Sequence, residues 1–293
     1  MKALIIAEHA AAAAELVAGA RTMADEVVAI SFGGAYECGA DKVLNITVPE
    51  GLTVDSAVET VNAAFDAENP EVVLVEACRH MKVIAGSLAF HADTAVITDV
   101  TAFEAEGAKS MYFGGIAERV QKAAGNVAIY TVGAGVFDGA EGANGSVAEQ
   151  EWVAPARPVK VVSSQVIEKS GVNLFKADVV VAAGRGFAEE SQLSLANDLC
   201  DKLGAGLACS RPLTEGVNWL PTERYVGVSG LMLTPKVYIA AGISGQMQHM
   251  VGCNRSGAIF AINKDKNAPI FKQCDFGLIG DIKDVLPVIT AAL

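Results

Sequence analysis

Polar and apolar positions alternate in blocks along the first hundred residues. Lys2 is followed by an unbroken apolar run, Ala3 to Ala7, closed by Glu8. Similar short runs recur as EVVAISFG (26–33), EVVLVEA (71–77) and TAVITDVTAFE (94–104). Each reads as a strand, and runs built mainly of Ala, Val, Ile and Leu suit strands of a parallel sheet covered by helices. Between them, apolar residues fall three and four positions apart. Leu16, Ala20 and Met23 mark a helix over about 13–24, and Ala57, Val61 and Ala64 a second one stopped by Pro70. His80 to His91 predicts a third. The βαβα order argues for a mostly parallel sheet with helices on both faces.

The pattern changes between about Lys109 and Glu168. SMYFGGIAERV, NVAIYTVGAGVF and PVKVVSSQVIE predict strands joined by glycine-rich turns, and GVFDGAEGANGSVAE (135–149) reads as a loop. Glu168 to Asn173 is polar, contains Gly171 and precedes a fresh strand–helix series, which makes it a candidate linker between domains of residues 1–170 and 171–293. Beyond it, ADVVVAAG predicts a strand. Leu193, Ala196, Cys200 and Leu203 share one helical face, with Gly204 as its stop. GLACS, VYIAAG, SGAIFAINKD and CDFGLIGD predict further strands.

Composition supports this reading. The chain is 52% hydrophobic but only 6% aromatic, so its 293 residues fill a core mainly with Ala, Val, Ile and Leu. No apolar run approaches the length that spans a bilayer, so membrane insertion is not expected. The net charge of −12 repels phosphate backbones and argues against nucleic acid as a partner. Six cysteines, at 38, 78, 200, 209, 253 and 274, form no CxxC, and the four histidines, at 9, 80, 91 and 249, show no metal-ligand spacing. No metal is expected. With no secretory signal, the cysteines are expected to be reduced in a cytoplasmic protein.

Ligands of open parallel sheets sit beyond the carboxyl ends of the strands. Those ends read GRG (184–186), CSRP (209–212), VGVSG (226–230), GISGQMQH (242–249), INKD (262–265) and CDFGLIGD (274–281). GISGQ has the chemistry of an anion cradle, because Ser244 and Gly245 leave open backbone at a helix start; an ordinary strand–helix turn reads the same way. Arg185 and Arg211 each follow a strand, where a guanidinium can pair with a carboxylate or phosphate or stack on a flat ring. His249 is either a ligand contact or a satisfied core histidine. Asp281 either holds a ribose hydroxyl or caps the helix starting near Ile282. Cys209, Cys253 and Cys274 read as small buried hydrophobes.

Taken together, GRG, CSRP, VGVSG, GISGQMQHMVG, FAINKDKNAPIF and DFGLIGD resemble, in order and spacing, the α subunits of electron transfer flavoproteins. The likeness covers Ala177 to Leu293 closely and the first half more loosely. ACSRP, ERYVGVSGLML and GQMQHMVG are most similar to the Fix-type branch, associated with nitrogen fixation and carnitine metabolism.

The resemblance implies two α/β domains. One is a Rossmann-like N-terminal domain that joins a separate β subunit; the other is an FAD-binding C-terminal domain that swivels on the linker near Gly171. It places Arg185 at the edge of the flavin site, Ser210 and Arg211 toward the isoalloxazine, and Val226, Gly227, Val228 and Ser229 along the ring. It assigns Ser244, Gly245, Gln246, Met247, Gln248 and His249 to the ribityl–pyrophosphate region, and Asn263 and Asp281 to the adenosine side. Many relatives read VGQTG where this chain has VGVSG. Ser229 keeps a hydroxyl, but Val228 replaces an amide, and the flavin potential is expected to differ accordingly. Arg211 and His249 are expected to offer charge or donors to the negative charge that reduction puts on the ring.

The expected function is that of an electron carrier with no substrate chemistry of its own. It would take electrons from dehydrogenases, of acyl-CoA type, and pass them to a quinone reductase or ferredoxin-linked partner, or the reverse. A bifurcating system would require a second flavin in the β subunit. The alternative is an NAD-dependent enzyme on a related nucleotide-binding sheet.

Overall fold

The structure, a computed structural model, describes residues 1–139, 142–165 and 173–293. The chain divides into two compact units, one drawn from residues 1–112 and 118–166 and the other from 113–117 and 167–293.

The first unit is built on a nine-stranded sheet. In chain order its elements are β1 (Lys2–Ile6), α1 (Ala10–Ala20), β2 (Glu26–Phe32), β3 (Lys42–Ile46), α2 (Val58–Glu68), β4 (Val72–Glu76), α3 (Arg79–His91), β5 (Val96–Glu104), β6 (Gly107–Tyr112), β7 (Ala117–Gln121), β8 (Ala128–Val132) and β9 (Ser146–Glu149). The sheet order is β7-β6-β5-β8-β4-β1-β2-β3-β9; β5 and β6 are antiparallel, and every pair from β5 through β8, β4, β1, β2 and β3 to β9 is parallel. Alternation along a strand sends successive side chains to opposite faces. On β1, Ala3 and Ile5 pack with Leu16, Val17 and Ala20 of α1. Leu4 and Ile6 pack on the other face with Val61 and Ala64 of α2 and Ile84 and Leu88 of α3. This two-sided burial explains the continuous apolar runs.

The second unit holds β10 (Val179–Ala183), α4 (Leu193–Leu203), β11 (Gly206–Cys209), β12 (Val237–Ala241), α5 (Met247–Met250), β13 (Ala258–Asn263), β14 (Phe276–Ile279) and α6 (Ile282–Ala292). Its five strands are all parallel, in the order β11-β10-β12-β13-β14. One face packs on α4 and α6 through Leu193, Ala196, Leu199, Ile282 and Leu286. The other face, with Tyr238 at its centre, is covered by Val226, Leu233, Ile243, Met250 and Ile270 from loops and short turns. Gly204 ends α4 at φ 60°, as its sequence position suggests.

Two expectations need correction, and one strand was not anticipated. Residues 158–165, expected as part of a strand, form only an isolated bridge between Lys160 and Leu52, and 166–168 lie outside the described residues. The stretch 135–149, expected as a loop, ends in β9, which pairs with β3. β3 itself escapes the apolar-run criterion because buried Asn45 interrupts it; Asn45 Nδ2 is satisfied by Glu149 Oε1 of β9 at 2.8 Å. The candidate linker lies outside the described residues except Asn173, whose side chain caps a short turn by accepting from the Phe175 amide.

Candidate functional site

In the second unit, β10 is flanked by β11, to which α4 connects it, and by β12, reached in the other direction. The crevice at the carboxyl ends of β10 and β12 is therefore the point where the strand order switches, the usual ligand position in such sheets. The two exits approach closely. The Gly186 amide donates to the Gly242 carbonyl at 2.9 Å, and a Cβ on Gly186 would lie 2.5 Å from the Gly242 Cα. Two glycines are thus required for the turns to meet.

A cavity of about 380 Å³ opens at this point. Of the residues singled out in the sequence, Arg185, Ser210, Arg211, Val228, Ser244, Gln246, Gln248, His249, Asn263 and Asp281 line it. Tyr225, Lys264 and Ile282 also line it, and sequence reasoning did not assign them. Lys264 lies within the INKD strand exit, so its signal was present in the sequence. Val226, Gly227, Ser229, Gly245 and Met247 are not on the wall. Val226 is buried in the core, and Ser229 Oγ is paired with the Tyr225 hydroxyl at 3.0 Å. The Val226–Ser229 loop is nonetheless pinned to the α5 segment, because the Val228 amide donates to the Gln248 carbonyl at 2.8 Å.

The loop 243–248 has a one-sided hydrogen-bonding pattern. Its carbonyls are tied back: Ile243 O accepts from Asn263 Nδ2 at 2.8 Å, Ser244 O from the Ile270 amide at 3.0 Å, and Gly245 O from Gln273 Nε2 at 3.0 Å. The amides of Ser244 to Gln248 make no hydrogen bond among the described residues. A run of unpartnered amides whose carbonyls are tied back attracts an anion. Gly245 makes the bend possible. Its φ is +82°, and a Cβ there would sit 2.4 Å from the Ile270 N and Cα. Asn263 therefore acts first as a brace, its Oδ1 also accepting from the Asp265 amide. Asp281 caps α6 by accepting from the Lys283 amide at 3.2 Å, while its side chain borders the cavity.

His249 is only 8% exposed, and its Nε2 lies 3.0 Å from the hydroxyl of fully buried Tyr238. Burial lowers its pKa from 6.5 to about 4, outweighing the Val226 carbonyl, which acts in the opposite sense, so the ring is neutral near pH 7. Of the charge or donor expected at His249, the depressed pKa favours the neutral donor. Burial also holds the Tyr238 phenol well above its usual pKa, so it stays protonated. A phenol donating to Nε2 would leave the ring proton on Nδ1. Nδ1 is buried and makes no hydrogen bond among the described residues. A buried donor without a partner carries a cost that an acceptor on a ligand would remove.

The positive charge at the mouth comes from elsewhere. Arg185, Arg211 and Lys264 face a single lining carboxylate, Asp281. Arg211 is exposed, with its Nε on Glu215 Oε2 at 2.6 Å, which raises its pKa further. The buried thiols are inert: burial pushes Cys209 and Cys253 up to about 12.

The fold and site define a nucleotide-binding α/β protein whose pocket suits a pyrophosphate and a flat ring. Comparison with known sequences gives the class a name. Residues 3–157 match the electron transfer flavoprotein domain, and residues 173–254 match the electron transfer flavoprotein FAD-binding domain. The chain belongs to the electron transfer flavoprotein family, as an α-type subunit with FAD as its cofactor. Among curated relatives it is 38% identical to Protein FixB of Escherichia coli O157:H7 and to Protein FixB of Shigella flexneri. Each alignment covers 95% of this chain and 94% of the relative. Protein FixB of Escherichia coli O127:H6 is 37% identical over the same shares. No helix among the described residues is long and apolar enough to cross a membrane.

Proposed function

We propose that the cavity between the β10 and β12 exits is the FAD site of an electron carrier that works as a heterodimer with a β subunit. The observation that carries this is the loop 243–248, with amides outward and carbonyls tied back, beside the partnerless Nδ1 of His249. The amides of Ser244 to Gln248 hold the pyrophosphate, with Arg185 and Lys264 supplying positive charge at the rim. His249 Nδ1 offers a neutral donor fixed by Tyr238. Val228, Ile243 and Ile282 give the apolar wall a flat ring needs. Ser210 and Arg211 border the ring, and Ser229, locked to Tyr225, holds the 226–229 loop in place. Asn263 braces the cradle, and Asp281 borders the adenosine side.

FAD supplies the redox chemistry when bound, accepting and releasing electrons. The chain's own work is to keep that chemistry dry and oriented. Fixed donors in a site sheltered from water stabilise charge appearing on a ligand without reorganising. The N-terminal domain, residues 1–170, joins the β subunit, and residues 171–293 carry the cofactor. The carrier takes electrons from acyl-CoA-type dehydrogenases and delivers them to a quinone reductase or ferredoxin-linked acceptor, or runs the other way, in the cytoplasm.

The test is the absorption spectrum of the chain co-purified with a β-type partner. A flavin spectrum with one FAD assigned to this chain is expected, and His249→Ala should lower its retention. A complex that stays colourless after incubation with FAD would overturn the reading.

A further inference from the structure

The first unit has its own switch point, at the exit of β1. There β1 lies between β2 and β4, with Ile6 paired to Val75 of β4. Glu8 and His9 leave β1, while Cys78 and His80 leave β4, with Cys78 as the residue capping α3. One donor atom from each of Glu8, His9 and Cys78 lies within 4.8 Å of the others. Cys78 Sγ is 3.3 Å from Glu8 Oε2.

Two further side chains orient these three. Glu76 Oε1 is 2.7 Å from His9 Nδ1, and its Oε2 accepts the amides of Glu8 at 2.8 Å and His9 at 3.1 Å. Glu76 is thereby occupied as a brace. It holds the proton of His9 on Nδ1 and leaves the Nε2 lone pair for a ligand. A carboxylate behind an imidazole is the usual support of a metal-bound histidine. His80 Nδ1 supports the Glu8 carboxylate in the same way, at 2.9 Å and 3.0 Å from its two oxygens.

We propose that Glu8, His9 and Cys78 form a binding site for a borderline-soft divalent cation of the zinc class, oriented by Glu76 and His80, with the fourth position open to water or another ligand. Ion pairing accounts for the carboxylates and imidazoles, and the thiol joins them only by donating to Glu8 Oε2 at 3.3 Å. Thiolate, imidazole and carboxylate together are a zinc donor set. Bonds of about 2.0–2.3 Å to a tetrahedral ion put neighbouring donors about 3.3–3.5 Å apart. Cys78 and Glu8 already meet that separation. As the sulfur–metal bond forms, the thiol proton leaves to solvent.

The test uses the full chain with its FAD, stripped of metal by a chelator and titrated with Co²⁺ as a spectroscopic probe. One equivalent should bind, giving a thiolate-to-cobalt charge-transfer band in the near ultraviolet. Ligand-field bands should appear at wavelengths longer than flavin absorbs, and Zn²⁺ should displace the cobalt. Cys78→Ser should abolish the charge-transfer band, with Cys78→Ala in reserve if that variant misfolds by circular dichroism. Glu76→Gln and His80→Gln should keep the band but weaken affinity about 10–100-fold. Cys274→Ser should change nothing. Substoichiometric uptake, or a charge-transfer band that survives loss of the Cys78 sulfur, would overturn the proposal.

Discussion

Replacing Gly245 with alanine tests the cradle directly. Two costs follow from its position. At φ +82° an alanine is strained, by roughly 1–2 kcal/mol. Its Cβ would also meet the backbone N and Cα of Ile270 at 2.4 Å, a separation that something must relieve. Both atoms are backbone, so relief means moving the loop or the Pro269–Lys272 turn, an overpacking cost of about 1–3 kcal/mol. Movement would strain the ties from Ile270 to Ser244 and from Gln273 to Gly245. Gly204→Ala is the matched control, since Gly204 has φ +60° but open space around its Cβ position. Urea denaturation of both cofactor-free variants should place Gly245→Ala about 1–3 kcal/mol below Gly204→Ala. Flavin fluorescence titration should show FAD affinity reduced about tenfold for each 1.4 kcal/mol of binding lost, and unchanged in Gly204→Ala. Equal denaturation midpoints for the two variants, together with wild-type FAD affinity in Gly245→Ala, would refute the account of the cradle.

Tyr238→Phe leaves the His249 Nε2 without its phenol, and should cost about 1–3 kcal/mol of stability; nitrogen NMR of His249 should show the loss of the Nδ1-protonated tautomer. His249 also sets a pH dependence. Its folded pKa is about 4, below the usual 6.5, so its contribution is fully present above 6.5 and is lost as pH falls toward 4. Between about pH 7.5 and pH 5.5 the cofactor-free chain should lose about 1.4 kcal/mol more than His249→Gln, measured by denaturation at each pH. Arg211→Ala should reduce FAD affinity several-fold at low salt and much less at high salt, because the guanidinium is exposed and screened; an unchanged affinity at both would confine Arg211 to its pair with Glu215.

The parts of the fold visible in the sequence are those where burial is two-sided. β1, β2, β4, β10 and β12 announce themselves because both faces of each strand must be apolar. β3 was hidden by Asn45, a buried polar residue made tolerable by a partner on β9, itself far along the chain. β9 was hidden for the opposite reason: its four residues are all exposed at the sheet edge, so no apolar signal marks it. At the site, strand exits and glycine turns located Arg185, Ser244 and His249. They could not show that Asn263 works mainly as a brace, or that His249 is neutral. Those facts depend on Ile243, Tyr238 and the depth of burial, which only three dimensions supply. The Glu8–His9–Cys78 cluster escaped for the same reason. Its donors come from two adjacent strand exits rather than from one spaced motif.

The ties behind residues 243–245 come from β13 and the stretch that follows it, through Asn263, Ile270 and Gln273. A lesion at Gln273 would therefore behave like a failing hinge pin on a door whose lock is sound. The chain would fold and assemble, yet leave the cell pale, and a surplus of coenzyme would restore its colour.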